Sequence, residues 1–160
     1  MKKIILIRHA KAQQNFSFKD FERPLTDVGI ERAIEVAIKS KSYISIDSLI
    51  VSSSSVRTSQ TARLFVQNWN LSQSDIIYYK ELYTFKLSEL EKIVKSFPNQ
   101  YNNIILFGHN YAITDFVNKF GDILIENIPT AGLVSIIFDT NNWKDINKGK
   151  TDKIIFPSDI

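Results

Sequence analysis

The chain has 160 residues, of which 44% are hydrophobic and 23% charged, and its net charge is +3. This length and composition predict one globular domain spanning residues 1–160, with too few residues for a second full-sized core. The absence of cysteine excludes disulfides, thiol nucleophiles and cysteine-ligated metal sites. The basic residues are scattered and do not form the stripe that is typical of nucleic-acid-binding proteins.

The amino terminus begins with a short apolar run at residues 4–7, which Arg8 interrupts. The run is shorter than the roughly 7 to 15 residues that the apolar region of a signal peptide requires. No other run approaches transmembrane length. We therefore expect a cytoplasmic protein that binds neither a membrane nor nucleic acid.

Short apolar runs without alternation predict strands that are buried on both faces of a parallel sheet. Four such runs occur, at residues 3–7, 48–51, 75–79 and 103–107. Two further strands are predicted near the end of the chain, at residues 133–139 and 153–156.

Apolar residues recur at helical spacing after each of the first four strands. These amphipathic patterns lie at residues 30–38, 62–69, 90–97 and 113–120. Thr26 is predicted to cap the first helix, a capping box of Ser88 and Glu91 to begin the third, and Gly121 to end the fourth. Alternation of strands and helices predicts an α/β fold, with a mostly parallel sheet covered by helices on both faces.

Arginine and histidine side chains follow three of the predicted strands. Arg8 and His9 end the first strand, Arg57 follows the second in SSSSVRTSQTA, and His109 follows the fourth in LFGHNYA. The ligand crevice of an open parallel sheet lies beyond the carboxyl ends of its strands, so we expect these four side chains to meet there. Groups that can carry positive charge, without a carboxylate in their motifs, favour a strongly anionic ligand such as a phosphoryl group.

The same residues allow other interpretations. Either histidine could be a structural hydrogen-bonding residue, and the serine run could be a polar turn with a helix cap. A metal site is disfavoured because the spacings HxH, HxxxH and HExxH are absent. The sequence also lacks GxSxG, GxxxxGK[ST] and GxGxxG, so a serine nucleophile and nucleotide chemistry have no support.

Taken together, the motifs RHAK, RPLTDVG, SSSSVRTSQTA and GHN resemble those of the histidine phosphatase superfamily. The resemblance spans residues 4–118, and the following tail is similar to the small SixA-like branch. It implies a phosphoglycerate-mutase-like fold, a three-layer α/β/α sandwich whose six-stranded sheet has one antiparallel strand. Ala10 replaces the glycine of the commoner motif, as in the SixA-like branch, and Tyr111 stands where that branch often has proline.

The resemblance also implies roles for individual residues. His9 would be the nucleophile that becomes phosphorylated, while Arg8, Arg57 and His109 would hold and neutralise the phosphoryl group. An imidazole nitrogen can attack phosphorus directly, and arginine with protonated histidine can meet the charge, so no cofactor or metal is expected. Three further residues are predicted to bind substrate at the rim of the pocket: Asn15, Arg23 and Asn110. Asn15 and Arg23 could equally be surface or turn residues.

The proton donor bears on the predicted substrate. Mutase-like relatives supply a carboxylate between the second arginine and the second histidine, and Glu81 in YYKELYTF is the candidate here, although it could equally be a solvated charge. An alkoxide leaving group needs an acid, whereas imidazole, with a reference pKa of about 6.5, leaves with less help. The candidate acid is weak, and the chain has little sequence that could form a lid over the pocket. Both features favour phosphohistidine on a protein as the substrate. The alternatives are a small-molecule phosphomonoesterase of the sugar-phosphate type, with Glu81 as its acid, and a phosphoryl-binding module without turnover.

Overall fold

In the part of the chain that the structure describes, six strands form one sheet with the order β3-β2-β4-β1-β5-β6. This computed structural model of the protein describes residues 1–15 and 17–158. The strands are β1 (Lys2–Arg8), β2 (Leu49–Ser53), β3 (Ile76–Tyr79), β4 (Asn103–Gly108), β5 (Leu133–Phe138) and β6 (Lys150–Ile155). β5 pairs antiparallel with both β1 and β6, and the other strands share one direction. The predicted mostly parallel sheet with one antiparallel strand is confirmed.

Four α-helices of the described residues connect and cover the strands. They are α1 (Asp27–Ser40), α2 (Val56–Asn68), α3 (Leu87–Lys95) and α4 (Ala112–Phe120). As predicted, Thr26 caps α1, because its Oγ1 accepts a hydrogen bond of 2.9 Å from the backbone N–H of Gly29, and Gly121 follows the last residue of α4. Within residues 1–15 and 17–158, no helix is long and apolar enough to cross a membrane.

The predicted capping box at the start of α3 is wrong. The helix begins at Leu87, whose side chain packs against the hydrophobic core, so Ser88 already lies inside the first turn. The carboxylate of Glu91 accepts hydrogen bonds from Lys95, at 2.9 Å, and from Lys119 of α4, at 2.6 Å. Glu91 is therefore paired with two lysines and does not form a capping box with Ser88.

Each face of the sheet is covered by one pair of helices. Alternate residues of β1 belong to different cores: Ile4 and Leu6 pack with α3 and α4, while Ile5 and Ile7 pack with α1 and α2. Because both faces are buried, the central strands are apolar throughout and show no alternation. The predicted three-layer α/β/α sandwich is confirmed.

The neighbouring strands β1 and β4 lead to opposite faces of the sheet. β1 continues through α1 to β2, and β4 continues through α4 to β5 on the other side. A crevice opens beyond the carboxyl ends of two such strands, where their connections diverge. The parallel register pairs Arg8 with Gly108, so the next residues, His9 and His109, leave the sheet side by side.

The segment after β1 is held against the start of α1. The backbone N–H of Thr26 donates to the carbonyl oxygen of Lys11 at 2.9 Å, and Ala12 and Leu25 form an isolated antiparallel bridge. A Cβ at Gly29 would lie 2.2 Å from the Lys11 carbonyl oxygen. Glycine at this position therefore lets the helix approach the chain two residues beyond His9.

Candidate active site

Four side chains meet at the carboxyl edge of the sheet and are called here the His–Arg cluster: Arg8, His9, Arg57 and His109. The imidazole rings of His9 and His109 have their centroids 5.3 Å apart. Arg8 ends β1, His109 follows β4, and Arg57 lies in the first turn of α2. The structure thus brings together the four residues that the sequence analysis places at one edge.

The two nitrogens of His9 have different partners. Nδ1 lies 2.7 Å from the carbonyl oxygen of Ala10, which can only accept, so Nδ1 carries the proton and donates. Nε2 receives a hydrogen bond of 3.3 Å from Nε of Arg57, so Nε2 holds the lone pair. Burial, together with the nearby charges of Arg57 and Arg8, lowers the pKa of His9 to about 3. His9 is therefore neutral at physiological pH, with its lone pair on Nε2.

His109 is fixed by hydrogen bonds on both sides of its ring. Its Nδ1 accepts a bond of 3.4 Å from Nη2 of Arg57. Nε2 therefore carries the proton, and it lies 2.9 Å from Oγ of Ser53 and 3.3 Å from Oγ1 of Thr58. Burial, with the neighbouring His9 and Arg57, lowers the pKa of His109 to about 2.

The sequence analysis expected protonated histidine to contribute positive charge to the cluster, but both histidines are neutral. Both rings are removed from water and lie beside guanidinium groups, and each of these effects disfavours a further positive charge. The positive charge of the cluster is therefore supplied by Arg8 and Arg57.

Arg57 is the residue that connects the cluster. Its side chain is 2% exposed, and besides the two histidines it contacts the loop between β1 and α1. Nη1 donates to the backbone carbonyl of Asp20 at 2.6 Å, and Nη2 donates to the carboxylate oxygen Oδ2 of Asp20 at 3.1 Å. All three nitrogens of the guanidinium thus have acceptors within the protein.

Arg8 has a different environment. Its Nη1 donates to the carbonyl oxygen of Ile128 at 2.8 Å. Its Nε is buried and has no hydrogen-bond partner in the described part of the chain. An unpaired buried N–H of a cation is costly, because it has lost its hydration without replacement. An oxygen atom of an anionic ligand would supply the missing acceptor.

Asp20 places a carboxylate beside the cluster, and the sequence analysis missed it. Its Oδ1 accepts from Nη2 of Arg23 at 3.0 Å, and its Oδ2 accepts from Arg57 and from the hydroxyl of Tyr83. Burial acts to raise the pKa of Asp20, but the hydrogen bonds from Tyr83 and Arg23 and the charge of Arg57 hold it well below its usual range. The carboxylate is therefore ionised. Its position three residues before Arg23 was the available sequence signal.

The remaining predicted residues have partners of their own. Arg23 reaches the cluster through Asp20. Oδ1 of Asn15 accepts from the backbone N–H of Ser17 at 2.9 Å, and Oδ1 of Asn110 accepts from the backbone N–H of Thr114, in α4, at 3.0 Å.

Glu81 is exposed, in a one-turn helix at Lys80–Leu82. In the described chain, no hydrogen bond or ion pair joins Asn15, Asn110 or Glu81 to the His–Arg cluster. Nor do any three His, Cys, Asp or Glu side chains of these described residues lie close enough to hold a metal ion.

Among the residues that the structure describes, three aromatic rings border the cluster and are called here the aromatic wall: Phe21, Tyr83 and Phe85. Tyr83 packs edge-to-face against both of its neighbours, with centroid distances of 5.1 Å and 5.6 Å. Tyr83 and Phe85 each lie 5.2 Å from the ring of His109, and the guanidinium carbon of Arg57 lies 6.0 Å from the Tyr83 centroid. The wall was also missed, because its members come from two loops far apart in the sequence.

The sequence itself matches a family model. Residues 4–124 match the histidine phosphatase superfamily (branch 1). No curated protein matches the chain. Because the family match covers most of the sequence and includes the whole His–Arg cluster, the chain belongs to the histidine phosphatase superfamily.

Solved structures share the fold. A protein assigned as the phosphohistidine phosphatase SixA of Agrobacterium tumefaciens has a TM-score of 0.79 at 22% identity, covering 98% of each chain. The protein histidine phosphatase SixA complexed with tungstate has a TM-score of 0.80 at 19% identity, covering 97% of each chain. A mycobacterial glucosyl-3-phosphoglycerate phosphatase has a TM-score of 0.69 at 11% identity, covering 98% of each chain. At these identities the likeness establishes the fold.

Acid is expected to destabilise the folded protein through His9 and His109. Their pKa values are lowered to about 3 and about 2, whereas histidine in an unfolded chain titrates near 6.5. Below about pH 6.5 the unfolded chain therefore binds more protons than the folded protein, and the free energy of unfolding decreases as the pH falls. Each histidine contributes a slope approaching about 1.4 kcal/mol per pH unit down to its folded pKa. Urea unfolding at a series of pH values measures this slope.

The control for this experiment is His109→Gln, which removes one titrating ring and keeps a polar side chain of similar length. The variant is expected to show about half of the pH slope that the two rings contribute together. The same slope in the variant as in the wild-type protein would contradict the assignment.

Asp20→Asn is expected to tighten the binding of an oxyanion to the cluster. The substitution removes a negative charge that is paired with both Arg57 and Arg23, so an anion no longer competes with it. We expect the Kd of tungstate, measured by calorimetry at low ionic strength, to fall about tenfold. Asp47→Asn makes the same change in net charge and serves as the control. Asp47 is exposed and precedes β2, so it lies at the amino ends of the parallel strands, away from the His–Arg cluster. Unchanged or weaker binding by the Asp20 variant would contradict the expectation.

Proposed function

We propose that the protein is a cofactor-independent phosphatase that transfers a phosphoryl group to His9 and then to water, and that its substrate is phosphohistidine on a protein. The observation that carries the proposal is the fixed tautomer of His9. Ala10 accepts from Nδ1, so the lone pair of Nε2 is presented in a buried site with two arginines beside it. A neutral imidazole in such a site is suited to nucleophilic attack on phosphorus.

In the first step, Nε2 of His9 forms a bond to phosphorus while the bond from phosphorus to the substrate's leaving atom breaks. The leaving atom keeps the bonding electron pair. When the leaving group is an imidazole ring whose second nitrogen is already protonated, it departs as neutral imidazole. Arg57 and Nε of Arg8, which has no partner among the described residues, can donate to the equatorial oxygens, whose charge must be stabilised in the transition state.

In the second step, water attacks the phosphorus of phosphorylated His9. The oxygen and both protons of the water leave with the phosphate as dihydrogen phosphate, and Nε2 recovers its lone pair. Nδ1 keeps its proton throughout, because the Ala10 carbonyl continues to accept from it. The negative charge of the phosphoryl group also favours protonation of His109, whose low pKa results from burial and from positive neighbours.

The choice of phosphohistidine as the substrate rests on the acid–base groups. Asp20 is ionised and hydrogen-bonded to two arginines, so it is a poor proton donor. Glu81 is exposed and has no hydrogen bond to the His–Arg cluster within the described residues. A departing alkoxide requires a donor far more than a departing imidazole does. The fold shared with SixA proteins is consistent with this choice.

A small-molecule phosphomonoesterase is the second candidate function. The fold is also shared with a glucosyl-3-phosphoglycerate phosphatase. Glu81 belongs to the same one-turn segment that leads into Tyr83 of the aromatic wall, so a carboxyl group is available near the rim. In this alternative Glu81 would protonate the departing alkoxide.

Labelling distinguishes these enzymes from a phosphoryl-binding module without turnover. Incubation with a ³²P-labelled phosphohistidine protein is expected to give an acid-labile phosphoenzyme, because a phosphorus–nitrogen bond forms at His9. His9→Ala should leave the protein unlabelled and lower kcat/KM by about 10³-fold or more. Persistent labelling of the His9→Ala variant would contradict the assigned nucleophile. Rapid hydrolysis of simple monoesters with none of the phosphohistidine protein would contradict the assigned substrate.

Glu81→Gln separates the two candidate substrates. If phosphohistidine is the substrate, turnover of a phosphoramidate is expected to stay within about twofold of the wild-type rate, because the leaving imidazole needs no carboxylic acid. A fall of about 10² in monoester turnover, with Glu31→Gln on the exposed side of α1 unchanged, would favour the monoesterase instead.

A further inference from the structure

The aromatic wall is not explained by packing alone. Phe85 is 48% exposed and Phe21 is 39% exposed, so neither ring is buried in either hydrophobic core. Burial of aromatic surface is favourable, and large exposed rings that contact one another beside a polar site are typical of ligand-binding surfaces. The hydroxyl of Tyr83 donates to Asp20, which fixes the middle ring of the wall to the loop that contacts Arg57.

The wall lies at the outer end of the His–Arg cluster. His9 is 9% exposed and His109 is 1% exposed, whereas the rings of Phe21 and Phe85 reach solvent. A nucleophile and a leaving group lie on opposite sides of a phosphorus atom during in-line transfer. A leaving group displaced by Nε2 of buried His9 must therefore point outward, past the rings that flank His109.

We propose that the aromatic wall of Phe21, Tyr83 and Phe85 binds the planar ring to which the phosphoryl group of the substrate is attached. The site then selects a phosphoryl group carried by an aromatic ring over one carried by an open chain or a simple amine. The inference rests on the function proposed above and adds the residues that recognise the leaving group. A phosphorylated imidazole fits this description, because its ring can pack face-on or edge-on against the wall while phosphorus contacts the arginines.

Two substrates with the same reacting bond test the inference. Phosphoimidazole and phosphoramidate both contain a phosphorus–nitrogen bond, but phosphoramidate releases ammonia and has no ring. Phe85→Leu and Phe21→Leu keep an apolar side chain and remove the aromatic face. Each variant is expected to lower kcat/KM for phosphoimidazole about three- to tenfold, and to leave kcat/KM for phosphoramidate within about twofold.

Tyr43→Leu is the matched control. Tyr43 is 41% exposed. It lies before β2, at the amino ends of the parallel strands and away from the His–Arg cluster. This variant is expected to leave both rates unchanged. If the wall variants lower kcat/KM equally for both substrates, or lower it for neither, the wall does not recognise the ring and the inference is wrong.

Phosphorylation of His9 separates this inference from the proposed function. If His9 is labelled by phosphoramidate and the wall variants keep the wild-type ratio of the two rates, the phosphatase mechanism stands and the wall inference fails. If neither substrate labels His9, the proposed function and the inference that rests on it both fail. The Kd of tungstate should be the same in the wall variants as in the wild-type protein, because tungstate has no ring; a weaker Kd would show damage to the His–Arg cluster and would overturn the assignment of a ring-specific role.

Discussion

The guanidinium of Arg57 donates hydrogen bonds to His9, to His109 and to Asp20. These bonds join α2 to the ends of β1 and β4 and to the loop before α1. Burial keeps both imidazole rings neutral, and the charge of Arg57 beside them lowers their pKa values further. A neutral imidazole and a fixed positive charge can therefore coexist within a few ångströms. A solvated arginine could not hold both histidines in one orientation.

The sheet supplies the geometry that this hydrogen-bond network requires. Parallel pairing of Arg8 with Gly108 places the two histidines at adjacent strand ends. The diverging connections of β1 and β4 leave room beyond these ends, and the close approach of α1 at Gly29 holds the segment that follows His9. Stability and reactivity are thus coupled, because the same burial that packs the histidines lowers their pKa values.

Much of this arrangement follows from local sequence patterns. Buried strands such as β1 and β4 are continuous apolar runs, and the residues that follow them must share one edge of a parallel sheet. Local patterns predict the ends of a strand or helix less well where long-range contacts determine those ends. β6 begins at Lys150, three residues before its predicted start, because its exposed and buried residues alternate along a sheet edge.

The charged and aromatic surroundings of the site were harder to predict. Asp20 is recognisable as part of it only when Arg57, 37 residues later, is seen beside it. The aromatic wall likewise brings Phe21 into contact with Tyr83, which lies far away in the sequence. Sequence spacing locates strand-end residues well, but it carries no information on which loop folds over them.

The hydrogen bond from Nε of Arg57 to Nε2 of His9 has a consequence for chemical selectivity. At rest the lone pair is covered by an N–H group, so a neutral alkylating or acylating reagent meets a shielded nitrogen. An incoming anion offers the guanidinium a stronger acceptor and uncovers the nitrogen as it binds. In the proposed mechanism, the imidazole would thereby be protected from unwanted electrophiles until negative charge enters the crevice.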